Sequence, residues 1–116
     1  TVERIGFQAF LSAGFELLAL PENITEISGC AFNWCPNLWY VRLPEQLPTL
    51  WRDAIADCEN LRELWIGRDT VITGLDEGEF LTNTGMSFPG LVIHCPEGSD
   101  ALRCAQEYNI PYEITE

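Results

Sequence analysis

The feature that most constrains this chain is an apolar pattern that returns every 22 to 25 residues. It is clearest in Ile27–Leu50, ISGCAFNWCPNLWYVRLPEQLPTL, where anchors fall at Ile27, Phe32, Leu38, Val41 and Leu43, with Pro44 behind the last. Aligning the chain on this stretch gives an opening column of Ile5, Ile27, Leu50 and Leu75, then Phe10, Phe32, Ile55 and Phe80. Phe15, Leu38, Leu61 and Phe88 follow, then Leu18, Val41, Leu64 and Leu91, then Leu20, Leu43, Ile66 and Ile93. A sixth column holds Ile24 and Leu47, with Val71 as a shifted third member. A period in the twenties with an apolar residue at every anchor is the signature of a stacked repeat. One coil cannot bury its own apolar edge, so its neighbours must supply the core.

Within a coil, Leu38-x-x-Val41-x-Leu43 ends in in–out alternation and reads as a short strand. Copies in successive coils would pair in parallel, about 4.8 Å apart. Pro21 and Pro44 terminate those strands. Gly29–Cys35 reads as one short helical or 3₁₀ turn on the opposite wall, with Ala31 allowing close approach and Phe32 plugging the core. Asn37 and Asn60 suit turns in which the amide satisfies local backbone groups.

The fourth coil carries extra residues in two polar, turn-rich stretches, GRDTVITGL and LTNTGMS, expected to be surface loops. Beyond Pro96-Glu97-Gly98 the period ends. Ser99-Asp100 caps an expected helix, Ala101–Asn109, with Leu102, Ala105 and Tyr108 on one face. Ile110–Ile114 reads as a final extended segment. The expected architecture is an α/β solenoid, a right-handed coil stack with short parallel strands and a C-terminal helix–strand cap. It forms one domain over residues 1–116, with coils at 5–26, 27–49, 50–74 and 75–96 and the cap at 97–116. At the other end only Thr1–Arg4 precede the first anchor. The chain opens into patterned sequence without methionine or leader, which suggests a segment of a longer precursor. Its first coil is then expected to offer an apolar face, through Ile5, Phe7 and Phe10, to further coils or to a second copy.

Charge narrows the partners. Six Lys and Arg against 18 Asp and Glu leave a net charge of −12. A polyanion would be repelled, and no basic stripe exists to release its counterions, so nucleic acid is not expected. Anionic membrane surfaces are disfavoured likewise. No apolar run approaches the ~18 residues of a membrane span. The five cysteines, Cys30, Cys35, Cys58, Cys95 and Cys104, are odd in number and do not form a closed disulfide framework.

With the columns in view, a family resemblance emerges. IxxxAFxxCxNLxxVxLP in Ile27–Pro44, repeated as LWRDAIADCENLRELWIG in Leu50–Gly67, resembles the BspA-type leucine-rich repeat of bacterial surface proteins. The closing VIHCPEGSDALRCAQEYNIPYEI is similar to the way such arrays end. Departures are Ala13 and Gly14 where the first coil lacks Cys and Asn, Glu79 in the Ala position, and the two insertions. The resemblance implies a cell-surface or secreted bacterial protein, in some members an adhesin for host matrix proteins. It implies neither an enzyme nor a motif for a ligand.

Cys35 and Cys58 stack one coil apart, within a disulfide's Cα–Cα range of roughly 4.4–6.8 Å; buried free thiols as small apolar filler are favoured over a bridge. A zinc site from Cys30, Cys35, His94 and Cys95 is disfavoured, because adjacent His94 and Cys95 on a strand point to opposite faces. The same geometry disfavours a thiol protease. Nothing selects two carboxylates for glycoside hydrolysis, and Asp76-Glu77-Gly78-Glu79 lacks the spacing of a Ca²⁺ loop. No cofactor or metal is expected.

What stands out is the outward side of the strands. With Leu38, Val41 and Leu43 inward, Trp39, Tyr40 and Arg42 face out, and one coil on so do Arg62, Glu63 and Trp65. The preceding coil offers Glu16, Leu17 and Ala19, the following one Pro89, Gly90 and Val92. Such aromatic and Arg groupings dominate interface hot spots; the plainer role is that Trp65 and Arg42 cover each other by cation–π stacking on an exposed sheet. Trp34 and Trp51 read as wall packing. The sequence therefore points to a non-enzymatic binding or adhesion module for a protein or glycan ligand. The alternative is a structural spacer or self-associating segment of a longer array.

Overall fold

The computed structural model describes residues 4–5, 14–85 and 88–115, with residues 4–5 described by backbone alone. The described chain is a parallel-strand solenoid of about four turns closed by one short helix. Its elements are β1 (Arg4–Ile5), β2 (Leu17–Ala19), β3 (Glu26–Ile27), β4 (Tyr40–Arg42), β5 (Thr49–Trp51), β6 (Glu63–Trp65), β7 (Val71–Thr73), β8 (Val92–Cys95), α1 (Asp100–Glu107) and β9 (Tyr112–Ile114). One wall is a five-stranded parallel sheet in the order β2-β4-β6-β8-β9; the other holds two short parallel ladders, β1-β3 and β5-β7. The apolar face expected of Phe7, Phe10 and the Ile5 side chain lies outside the described residues, as does Ala13.

The columns of the second and third coils hold. Phe32, Leu38, Val41, Leu47, Leu50, Ile55, Leu61 and Leu64 are all buried between the two walls. Each such side chain contributes about 1.5–3 kcal/mol by leaving water. Strands this short supply few hydrogen bonds, so the apolar columns hold the coils together and the ladders set their register.

Three expectations need correction. First, Gly29–Cys35 is not helical: it is a run of turns, with Cys30 at φ 62° and Trp34 at φ 59°. The backbone here bonds across coils, Phe32 N–H to Ala54 O at 2.9 Å and Trp34 N–H to Ala56 O at 3.0 Å. Those donors are then unavailable to a helix. The left-handed residue recurs one coil on at Asp57 (φ 59°) and again at Leu81 (φ 70°), where Asp57 N–H bonds to Leu81 O. Asn60 behaves similarly, its Nδ2 donating not locally but to Pro36 O of the preceding coil at 2.7 Å.

Second, the fourth coil runs in a different register. Leu50 pairs with Ile72, not Leu75, so the extra residues lie beyond β7, between Gly74 and Glu79, rather than within GRDTVITGL. Thr70, not Val71, continues the Ile24–Leu47 column: it is fully buried and its Oγ1 donates to Leu47 O at 2.6 Å, whereas Val71 is exposed. A hydroxyl that finds a carbonyl can occupy a core position that reads as polar in sequence. On the main sheet Leu64 pairs with Ile93, not Leu91. Leu91 instead takes the position of Leu38 and Leu61. Each of the three closes the same turn, with N–H to the carbonyl three residues back, Cys35, Cys58 and Phe88 respectively. Phe88 therefore replaces the cysteine of the earlier coils.

Third, LTNTGMS is exposed at Asn83, Thr84 and Gly85, as expected of a surface loop, but Leu81 and Thr82 are buried and the segment bonds inward. Asp57, 2% exposed, accepts from Thr82 Oγ1 at 2.6 Å, Thr84 Oγ1 at 2.9 Å and Asn83 N–H at 3.1 Å. Asn83 extends the network, donating Nδ2 to Asp53 Oδ2 at 3.2 Å and accepting from Arg52 Nη1 at 2.8 Å. Polar residues fold inward here because a buried carboxylate needs donors.

The cap follows the expected plan with shifted detail. Helix α1 spans Asp100–Glu107, with Ser99 as its N-cap, Oγ accepting from Leu102 N–H at 3.2 Å. Its buried residues are Ala101, Cys104 and Ala105, with Leu102 and Tyr108 half-buried against the core. Asp100 Oδ2 accepts Ile72 N–H at 2.7 Å. The carboxylate thus satisfies the outer donor of β7 where a further coil would have offered a carbonyl. Strand β9 covers the edge of β8.

Asp57, which is buried, and Asp100, which is half-buried, can each be tested. Replacing Asp57 with Ala strands three donors, so the unfolding free energy should fall by roughly 2–4 kcal/mol in a denaturant melt. Asp57→Asn keeps an acceptor and tolerance of positive φ, and should lose less. For Asp100, burial alone would raise the carboxyl, but hydrogen bonds from Arg103 and from Ile72 N–H outweigh it and hold the group below its usual range. A depressed native value means its stabilisation is complete above the ordinary carboxylate value of about 3.9 and is lost as pH falls through the native one. Melting temperature measured against pH should therefore show Asp100→Asn less stable than the parent at neutral pH, with the gap closing in acid.

Candidate functional site

The outward side chains of the main sheet fall into two columns because successive strands pair residue for residue. One column is Leu17, Tyr40, Glu63 and Val92; the other is Ala19, Arg42, Trp65, His94 and Glu113. The second column forms a continuous stack. The Arg42 guanidinium carbon lies 5.0 Å from the Trp65 ring centroid. His94 stacks on Trp65 with ring centroids 4.2 Å apart and planes 8° from parallel. Since β4 and β8 flank β6 on opposite sides, the cation and the imidazole cover the two faces of one indole.

Carboxylates lie along the edges of this stack. Trp65 Nε1 donates to Glu63 Oε1 at 3.3 Å, and the same oxygen lies 3.4 Å from His94 Nε2. On the far side Glu113 Oε1 is 3.7 Å from His94 Nδ1. Arg42 is exposed and has no acceptor among the described residues. Beside the stack opens a cavity of about 430 Å³, its lining including Arg42, Trp65, Arg68 and His94. Gly67, in its floor, stands where the other coils carry Pro21, Pro44 and Pro96. A Cβ on Gly67 would sit 2.5 Å from Glu45 O, so only glycine admits the preceding turn this closely.

Of the residues expected on this face, Arg42, Glu63 and Trp65 come together. Trp39, 39% exposed, meets Tyr40 edge-on at 5.7 Å. Arg62 does not join the stack: its Nη1 donates to Glu59 O at 3.3 Å and Leu61 O at 3.0 Å, and its chain lies against Gly90. The expected outward triplet Pro89, Gly90 and Val92 is corrected to Val92 and His94, because β8 runs two residues later than the apolar spacing implied. His94 was thereby missed as a member of the face. The signal was present in Pro96: aligned with Pro21 and Pro44, it puts Cys95 in the inward place of Leu43 and His94 outside, beside Trp65.

The remaining candidates resolve as packing. Cys35, Cys58, Cys95 and Cys104 are buried and Cys30 half-buried, all as free thiols. Cys58 Sγ donates to Phe32 O at 3.1 Å, and contact with Cys35 together with burial pushes its thiol far above the ordinary range. Burial raises Cys104 to about 11 and also raises Cys30 and Cys95. Thiols shifted this way are poor nucleophiles. Cys95 turns into the core while His94 faces out. Among the described residues no three His, Cys, Asp or Glu side chains gather as metal ligands, and Asp76, Glu77 and Glu79 are exposed in the turn after β7. Trp34 is exposed, whereas Trp51 is half-buried against Gly29 and Gly74. No described helix is long and apolar enough to cross a membrane.

Comparison with curated proteins and with solved structures gives no match. The family comparison does: the BspA-type leucine-rich repeat region matches in six copies over residues 1–87. Such repeats are generally non-enzymatic scaffolds that mediate protein interactions, and the family is typically found at the bacterial surface or secreted. By its coil pattern, its parallel-strand solenoid and this match, the chain belongs to the BspA-type leucine-rich repeat family.

Proposed function

We propose that this chain is a single-domain, non-enzymatic recognition module of a bacterial surface or secreted protein, binding a protein ligand through the outer face of its main sheet. The observation that carries this reading is the Arg42–Trp65–His94 stack, bonded to Glu63 through the indole N–H and flanked by Glu113. An exposed sheet needs no such arrangement for solubility; ordinary charged residues would serve. Side chains ordered in advance lose less entropy on binding, which raises affinity for a given contact area. Trp39 and Tyr40 extend the face beside the stack and supply the aromatic contact area typical of hot spots.

A protein ligand is favoured over a glycan. Sugar rings bind by laying a C–H face on an open aromatic face, and both faces of Trp65 are occupied by its neighbours. Adhesion to a host surface is one use of such a module, and the same face would serve it.

The test is paired substitution. Trp39→Ala with Trp65→Ala should leave the thermal melt within a few degrees of the parent, since both side chains lie outside the core. It should reduce capture of a ligand selected from an array of extracellular-matrix proteins by a factor of roughly 100 or more, as expected for loss of two hot spots of about 2 kcal/mol each. Equal capture by the double variant and the parent would show that the face is not the ligand surface.

A further inference from the structure

The arginines of this chain are not used alike. Arg52 donates to Asn83 Oδ1, Arg62 to the carbonyls of Glu59 and Leu61, Arg68 to Glu97 O, and Arg103 to Asp100 and Glu107. Arg42 alone, among the arginines whose side chains are described, donates to no protein acceptor. This is not for want of carboxylates, since the chain has 18 acidic residues and only six basic ones. Glu63 sits on the neighbouring strand opposite Tyr40, yet its carboxylate is turned to Trp65 Nε1 and His94 Nε2. Glu113 lies at the far end of the stack, on β9, three strands away from Arg42.

The position of Arg42 suits it to receive something. Its guanidinium is held on the Trp65 ring at 5.0 Å, which fixes the head group without using its N–H donors. On its other side the register partner is Ala19, whose methyl group offers Arg42 no acceptor. Arg42 also lines the 430 Å³ cavity, whose acidic residues Glu45 and Asp69 make no ion pair with it. A planar cation with an unspent fork of donors matches a carboxylate in two parallel hydrogen bonds.

We propose that Arg42 is the carboxylate receptor of this face, and that the protein ligand presents an aspartate or glutamate side chain to it. The inference rests on the strand face being the ligand surface. It adds the chemistry that selects the partner. A charge of −12 disfavours acidic partners at long range, but over the contact distances of one ion pair the local cation prevails, because separations beyond about 8 Å are screened at physiological salt. The face then favours a ligand with a single well-placed carboxylate over one with an acidic run.

The experiment uses the full chain, labelled with ¹⁵N, and two capped pentapeptides: one with a central glutamate flanked by alanines, one with glutamine in its place. The Arg42 Nε–H and Trp65 indole N–H resonances should shift saturably with the glutamate peptide and not with the glutamine peptide. Arg42→Lys keeps the charge but loses the fork and the flat stacking, and should weaken the glutamate peptide by roughly tenfold or more. Equal response to both peptides, no response to either, or undiminished binding by Arg42→Lys would each overturn the proposal. Failure here remains distinct from failure of the face itself. If a matrix-protein ligand loses binding with the Trp39 and Trp65 double substitution but not with Arg42→Lys or Arg42→Gln, the face stands and the carboxylate role is wrong. If the double substitution also binds normally, both fall.

Discussion

Everything in this molecule depends on the register of one parallel ladder. Leu18, Val41, Leu64 and Ile93 stand one above another on successive strands of the main sheet. That alignment places like beside like: a column of apolar side chains inside and, one residue either way, two columns outside. The ladder itself is short, three or four residues per strand, and hydrogen bonds contribute only about 1 kcal/mol net each. The stability comes from what the register aligns. A slip of one residue would turn the core outward and the outer columns in. The apolar columns therefore enforce the alignment that makes the outer stack possible.

The interruptions of the repeat are where polar chemistry takes over. Asp57 lies in the left-handed region and is buried, two unfavourable circumstances for most residues. Asp tolerates that backbone better than others, and Thr82, Asn83 and Thr84 supply the donors its carboxylate requires. The longer fourth coil is thus tied to the third by one buried acid. At the end of the stack Asp100 takes Ile72 N–H, and Ser99, buried where earlier coils have Ile24 and Leu47, starts the helix. Capping is achieved by changing the chemistry at repeat positions while the geometry of the turn after the strand persists, as in Ile24 N–H to Pro21 O, Leu47 N–H to Pro44 O and Ser99 N–H to Pro96 O.

How much of this was legible follows from the same contrast. The second and third coils were readable because the anchors Ile27, Phe32, Leu38, Val41 and Leu43 and their counterparts Leu50, Ile55, Leu61, Leu64 and Ile66 are all apolar and buried and keep one spacing. In the fourth coil two candidate anchors, Leu91 and Ile93, are both apolar and both buried, so hydrophobicity alone could not say which pairs with Leu64. The turn proline could, and reading it would have placed His94 on the outer face. Thr70 was passed over because its burial depends on a hydrogen bond to Leu47 O that periodicity does not register. The turns at Cys30 and Trp34 resembled a helix in composition; their conformation is set by carbonyls 22 to 23 residues away, which no local propensity contains. The Arg42–Trp65 contact was accessible from the alternation, whereas the release of Arg42 from every carboxylate required the side-chain directions of Glu63 and Glu113.

The stack also limits how this face can select a partner. With Arg42 on one side and His94 on the other, the Trp65 indole offers a ligand only its rim, and its one donor is already bonded to Glu63. A buried hydrophobic grip through Trp65 would require breaking contacts the protein has already made. What the column leaves unsatisfied is the guanidinium, and to one side of it the edge-on pair Trp39 and Tyr40. Aromatic area supplies affinity with little directional preference, whereas a fixed cation discriminates by where the opposing charge lies. If it binds as proposed, a face built this way would tolerate variation in the apolar part of a ligand and be strict about the position of one charge. That division of labour suits a scaffold in which the register fixes one cation while the residues around it are free to change.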